Sequence, residues 1–475
     1  MKIWKEQMSS VCAALKQSPY TDNGWSESQL ASYQRRIPLT LLRIVLLIYK
    51  EKLYGIWPML SAENLMHRLE NDPNDPEIYT LATALCGATL SHLNQSITHE
   101  SLHEPLTAHS FAQEARRVRA TFDYMEPVTL NTVLTSYFLH IYYGRQSSRP
   151  QTATFYIREA ISFAQLLEMH TEEAYFQHST EDQKVMRKLY FLLFMTERYL
   201  CVQYGLPTVL EPITLPTTEN EDLPGVVSGF LNLVTLFSTP GNDFFSKWTS
   251  QSPNVSVSSK QLLLIQRELK LPTETPSCAN DIQTVDIVAT QHWLRSLAWR
   301  LSVQLGYVVP GGRQEMSVAY PVRIARDALC GVSPISMEAF EVHGPGMEAK
   351  MHEIASALAD SILCQPEGDP SSSFVVGPRD ILKSLSDLIF STQVMNPELR
   401  NSLSCKLDIV LGCSWVPPAI DVTDDIVNSG MEENTSQISF PTVPFADLPV
   451  LGMDVCSNEA PKLTILNGEG IAGYS

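Results

Sequence analysis

Residues 180–204 read TEDQKVMRKLYFLLFMTERYLCVQY. The stretch opens on Thr180-Glu181-Asp182-Gln183, a capping-box spacing in which Thr and Gln satisfy each other's free backbone donors. From Met186 to Cys201 it is apolar almost all round, and Leu206-Pro207 ends it. A helix apolar on every side needs neighbours on every side. The segment therefore predicts a central buried helix over 181–204, inside an all-α protein.

The same grammar extends outward. Ile37, Leu41, Ile44, Ile48 and Lys52 mark one helix face that is apolar until its last turn, and Trp57-Pro58 closes it in a non-helical corner. Asp75-Pro76-Glu77 is a start signal: Asp caps free N–H groups, Pro fits the first turn, and Glu suits the positive end of the helix dipole. Ile78, Leu81, Ala82, Leu85 and Leu93 form the apolar face that follows. Further helices are predicted near 106–122, 129–143 and 151–168. Beyond the central helix, Leu210 to Pro224 holds three prolines and reads as an extended crossover. Helices are then predicted near 225–238, 259–270, 281–305, 321–330, 346–363, 379–391 and 397–412. Trp293 and Trp299 within 281–305 suggest a second buried centre, while 240–258 and 366–378 read as loops. Strand-type alternation is nearly absent.

Composition separates the ends from the body. Of 475 residues 44% are hydrophobic and 18% charged, too apolar for a disordered chain. The formal net charge is −18, which phosphate repels, and no basic element is set apart to offset it. Direct nucleic-acid binding is not expected. Residues 417–475 carry nine acids against Lys462 alone, so this segment holds −8 of the total. Its acids alternate with apolar residues, as in Phe445-Ala446-Asp447-Leu448, a pattern that offers apolar groups to a partner's groove rather than folding alone. The expected organisation is a polar lead-in over 1–36, a helical domain over 37–413 with a sub-boundary at 206–224 left open, and a largely disordered acidic tail over 414–475. The longest unbroken apolar run, Leu189 to Met195, is far below the ~20 residues of a membrane span. No signal peptide is expected, and nine scattered cysteines suggest reduced thiols inside the cell.

Two motifs tempt a chemical reading. His99-Glu100-Ser101-Leu102-His103 with His109 has the ligand and general-base spacing of a zinc hydrolase. However, Leu106 stands where that pattern has a turning glycine, Pro105 follows closely, and the polar flanks suit a helix–helix connection better. Gly344-Pro345-Gly346 with Ala349 approaches a dinucleotide fingerprint, but Met337 to Val342 looks helical where a strand is required. A corner between two helices fits better. There is no phosphate-binding loop, no nucleophile elbow and no C-x-x-C, so no catalytic residue or cofactor is assigned. Arg116, Arg117 and Arg119, with Arg35-Arg36, read as solvated helix faces.

Several stretches resemble one family, the regulatory region of fungal zinc-cluster transcription factors, near its starch- and maltose-responsive branch. They run in order: Leu42 to Pro58 with Tyr54-Gly55-Ile56-Trp57-Pro58; Arg158 to Leu167 followed by His170; Tyr190 to Arg198; Ile213-Thr214-Leu215-Pro216; Gln291-His292-Trp293-Leu294-Arg295 with Trp299; Tyr320-Pro321; and His343-Gly344-Pro345-Gly346. The resemblance covers most of 37–365. It implies an all-α regulatory domain working in the nucleus on metabolic or secondary-metabolite gene clusters. It also implies a coactivator-binding role for the acidic tail. Such regulators begin with six zinc-binding cysteines and a basic segment; here only Cys12 precedes Cys86. The expectation is thus a regulator or co-regulator that reaches DNA through a DNA-binding or dimer partner, or else an activator whose zinc-cluster segment lies upstream of Met1. Trp57, His170, Glu197 and Arg198 are the residues that either line an inducer pocket or pack, packing being the simpler reading.

Overall fold

In the computed structural model, the described residues are 36–98, 105–146, 150–219, 221–249, 256–270, 280–309, 311–312, 314–364, 376–392 and 397–412. The helices in chain order are α1 (Leu39–Ile48), α2 (Ala62–Asn71), α3 (Pro76–His92), α4 (Ala108–Arg119), α5 (Leu130–Gly144) and α6 (Pro150–Leu166). They continue as α7 (Glu172–Tyr175), α8 (Thr180–Tyr204), α9 (Pro224–Ser238), α10 (Gly241–Ser246), α11 (Ser259–Glu268) and α12 (Asp281–Gln304). The last are α13 (Tyr320–Val332), α14 (Met337–Glu341), α15 (Pro345–Leu363), α16 (Pro378–Phe390) and α17 (Pro397–Leu411). Among the described residues the strands are β1 (Ser96–Ile97) and β2 (Leu106–Thr107), paired antiparallel with Ser96 opposite Thr107. The protein is all-α, as its sequence predicts.

Local chemistry sets the helix boundaries. Asp75 accepts from the backbone N–H groups of Glu77 at 2.8 Å and Ile78 at 3.2 Å, opening α3 behind Pro76. The cap of α8 lies one residue before the predicted position: the Ser179 hydroxyl, not that of Thr180, accepts from the Asp182 N–H at 3.2 Å. Both residues can cap, and the better register wins because it also lets Ser179 Oγ donate to Asp182 Oδ2 at 2.7 Å. Gly205 ends α8 in the left-handed region at φ 64°, where a side chain would be strained.

Other differences from expectation have local causes. The first helix widens into a π-turn over Tyr49–Leu53 instead of running on as an α-helix to Lys52, and Ile37 precedes it. The buried Tyr49 hydroxyl then donates to the carbonyls of Trp57 at 2.8 Å and Leu60 at 3.1 Å, fixing the corner. α2 was not anticipated; Ser61 caps it and Leu65, Met66 and Leu69 bury its apolar face. α10 interrupts the predicted loop 240–258. Residues 106–107 belong to β2, so α4 starts at Ala108 behind the Thr107 cap.

Two groups of helices share α8. α3 is buried continuously from Ile78 to Leu90 and packs on α4 and α5; α5 packs on α6. α12 packs on α9, α11, α13 and α15, with the fully buried Trp293 between Tyr199 and Phe237, ring centroids 5.9 and 6.0 Å away. α8 contacts α5 and α6 in the first group and α9 and α10 beside the second, which is the central position its all-round apolar surface demands. Gln283 adds a polar tie, donating to the carbonyls of Gly55 at 3.0 Å and Val226 at 2.8 Å. The acidic tail, 414–475, lies outside the described residues.

Candidate functional site

Two arrays of buried charge stand out. The first clasps the crossover that follows α8. Glu197, 1% exposed, accepts from Arg158 at 2.9 Å and from the backbone N–H groups of Val209 and Leu210, each at 3.0 Å. Arg158 also donates to the Pro207 carbonyl at 2.6 Å. Arg198, likewise 1% exposed, donates to the Leu210 carbonyl at 3.1 Å and to Asn242 Oδ1, with its guanidinium over the Phe194 ring. Burial pulls the Arg198 pKa down to about 10 against the opposing pull of Glu197 and Glu211. Farther along, Arg187 makes a two-pronged pair with Glu172 at 2.6 and 3.1 Å, and Glu172 accepts from the Thr214 N–H at 3.1 Å. An extended segment has no backbone ladder of its own, so side chains of α6, α7 and α8 supply its partners.

The second array lines a cavity of about 400 Å³ where α3 and α5 end beside α14 and α15. Its charged walls are Lys52, Arg145, Glu338, Glu341 and Glu348, with His92 among them. Lys52 pairs with Glu338 at 3.0 Å. Arg145 lies against Gly344, whose φ of +64° opens α15; a Cβ there would strike the guanidinium. The Arg145 Nη1 and the His92 Nε2 are both sealed from solvent, and neither has a hydrogen-bond partner among the described residues. Burial, then the neighbouring Arg145 and His343, push the His92 pKa down to about 3, so the ring is neutral. Burial also lowers the Arg145 pKa, against the pull of Glu348.

The corner next to the cavity is held from behind. His343 donates from Nε2 to the Ile282 carbonyl at 2.6 Å, and its Nδ1 stands 4.0 Å from Asp286. Lys350 donates to Asp286 and Thr290, both at 2.7 Å. Gly344-Pro345-Gly346 is therefore a helix–helix corner, with α14 ahead of it and α15 behind.

The residues singled out from sequence fall in different places. Glu197 and Arg198 belong to the clasp. Trp57, 2% exposed, packs edge-on against His92 at 5.0 Å and Phe138 at 5.8 Å, so it stands behind the cavity rather than in it. His170 is exposed. His109 shares a 2.8 Å hydrogen bond with the Tyr142 hydroxyl, while His99, Glu100 and His103 lie outside the described residues. Sequence reading missed Arg145 and His92; its one pointer was the quoted His343-Gly344-Pro345-Gly346 stretch.

Comparison with known proteins places this geometry. Residues 46–265 match the fungal specific transcription factor domain. Over 378 residues the chain is 30% identical to a maltose fermentation regulatory protein of Saccharomyces cerevisiae, covering 78% of this chain and 77% of that protein. The chain belongs to the fungal specific transcription factor domain family. A probable sucrose utilization protein of Candida albicans is 32% identical over 337 residues, covering 70% of this chain and 66% of that protein. A respiratory transcription factor of S. cerevisiae is 30% identical over 382 residues, or 79% and 80% of the two chains. No solved structure matches. The family and these relatives are regulators of transcription, not enzymes. Within this family domain, the matched stretch holds Trp57, His92, Arg145, Glu197 and Arg198, and the Gly344 corner lies beyond it.

Proposed function

We propose that this chain regulates transcription of sugar-utilisation genes in the nucleus, reaching DNA through a DNA-binding partner. The similarity to a maltose fermentation regulatory protein over 78% of the chain carries the reading. The net charge of −18 supports the partner, since the helical body has no basic stripe with which to hold a phosphate backbone. In this reading residues 37–413 are the regulatory domain and 414–475 an activation segment whose interleaved acids and apolar residues meet a coactivator. The test has two arms. Fused to a heterologous DNA-binding domain, the chain is expected to activate a reporter, and removal of 414–475 to abolish that activation. Deleting the gene is expected to prevent induction of sugar-utilisation transcripts. Tight, steeply salt-dependent binding of the purified chain alone to a promoter duplex would overturn the partner-dependent reading.

A further inference from the structure

We propose that the groove between α1 and α2 is the docking site of this chain's own N-terminal segment, residues 2–16, laid down as an amphipathic helix. The proposal goes beyond the regulatory reading and does not depend on it.

The groove comes first. Arg43 of α1 pairs with Glu70 of α2, and farther on Lys50 in the π-turn pairs with Glu63, farther back along α2. The two ion pairs fix the helices as antiparallel and frame a hollow of about 290 Å³. Leu46, Leu47, Ala62 and Met66 make its apolar floor. Leu47 is 40% exposed at the centre of that floor, while its neighbours Leu46 and Ile48 are buried. A scattered exposed leucine needs no explanation. One set between two helices and two ion pairs is placed as an anchor for the apolar face of a third helix.

Sequence, charge and position then choose the occupant. Residues 1–35 and the acidic tail both lie outside the described residues. In the first, Trp4, Met8, Val11 and Leu15 recur at i, i+4, i+7 and i+11, one face of a helix, and Ser18-Pro19 ends the pattern. Residues 2–16 carry Lys2, Lys5 and Lys16 against Glu6, a balance of +2. The rim of the groove carries Arg43 and Lys50 against Glu51, Glu63 and Glu70, a balance of −1. That rim attracts the N-terminal segment and repels the tail with its −8. Position agrees. Arg36 donates to the Pro73 carbonyl at 2.9 Å and α1 starts at Leu39, so Arg43, at the near end of the groove, lies close to where the segment joins. Residues 17–35, at up to ~3.3 Å each, easily turn back along an α1 only ~15 Å long. A tether that short keeps the segment at a local concentration of about 1 mM, so even a hollow this shallow is filled. From Trp4 to Leu15 the helix spans ~17 Å, enough to cover Leu47 and bring its lysines to the carboxylates of both ion pairs.

The experiment is amide hydrogen exchange of the purified full chain, read by mass spectrometry, with the free peptide 1–20 as reference. Amides of residues 4–15 are expected to exchange at least about tenfold more slowly in the chain than in the peptide. Leu47→Asp puts a charge on the floor of the groove and is expected to return them to the peptide's rate. Met8→Asp is expected to do the same from the other side; it lies outside the helical body, so it carries the test even where Leu47→Asp lowers the melting temperature. Ile409→Asp, at a residue 66% exposed on α17, is expected to leave the protection intact. Peptide-like exchange in the unaltered chain overturns the proposal and leaves the groove to a separate partner. Protection that survives both Leu47→Asp and Met8→Asp overturns it as well, and so does equal loss in Ile409→Asp. Protection that fades on dilution, together with a dimer in light scattering, overturns it in favour of a second copy of the chain.

Discussion

The clasp on α8 and the cavity beside α15 are built from the same side-chain types and are satisfied to different degrees. In the clasp, Glu197 receives one guanidinium and two backbone N–H groups, and Arg158 and Arg198 return hydrogen bonds to carbonyls of the extended segment they hold. In the cavity, Arg145 and His92 each keep a buried nitrogen without a partner among the described residues, whereas in the clasp Arg198 Nε alone does so beside two hydrogen bonds from Nη2. Charge taken out of water is costly, and the cost is met only when partners complete its hydrogen bonds. Where the chain supplies those partners, as over 207–214, the charge becomes a structural staple. Where it does not, as at Arg145 and His92, the cost of burial stays uncompensated.

The sharpest way to break this comparison is to cut the clasp. Glu197→Ala strands Arg158, the Val209 N–H and the buried Leu210 N–H, and is expected to cost ~3–5 kcal/mol in urea-induced unfolding. A loss below ~1 kcal/mol, the range of an exposed ion pair, would mean that apolar contacts alone hold the crossover and that the clasp is no more closed than the cavity.

Acid probes the open side. Burial lowers the pKa of His92 and His292 to about 3 and of His140 and His352 to about 4. The unfolded chain, with histidines near ~6.5, therefore binds protons before the folded chain does. Stability is full above about pH 6.5 and falls as the pH drops toward the folded values, by ~1.4 kcal/mol per pH unit for each histidine. His92→Gln is expected to reduce the slope between pH 6 and pH 4 by one such share in chemical denaturation followed by circular dichroism. An unchanged slope would mean that His92 is not held neutral at the cavity.

The smallest effect is expected at the corner itself. Gly344→Ala places a side chain at φ +64°, a cost of ~1–2 kcal/mol, and displaces the Arg145 guanidinium. The melting temperature should drop by a few degrees. An unchanged melting temperature would mean that Arg145 gives way to the new methyl group at no cost.

Much of the fold was legible. The all-round apolar run Met186 to Cys201 points to a central helix, and α8 is central; the corner at Gly344 is legible because Pro restricts the backbone and Gly frees it for conformations other residues avoid. α2 escaped because three apolar residues, Leu65, Met66 and Leu69, make a weak periodic signal between two proline-marked turns. The candidate site was scarcely visible. Glu197 and Arg198 drew notice from lying inside an apolar helix, yet the sequence left open whether they line a pocket or pack. Arg145 and His92 read as unremarkable polar residues at helix ends.

The division has a physical cause. Helix order and most helix ends follow from caps, prolines and apolar spacing, interactions that span a few residues and so are written locally: Asp75 on Glu77, Ser61 on Asn64. The sequence by itself settled those, along with the net charge of −18. Whether a buried charge finds its partners depends on segments far apart in the chain. Arg158 meets Glu197 across 39 residues, and Arg145 meets Gly344 across most of the helical body. Only tertiary packing could decide how far each set is satisfied, because the cost of burial exists only once the helices have come together.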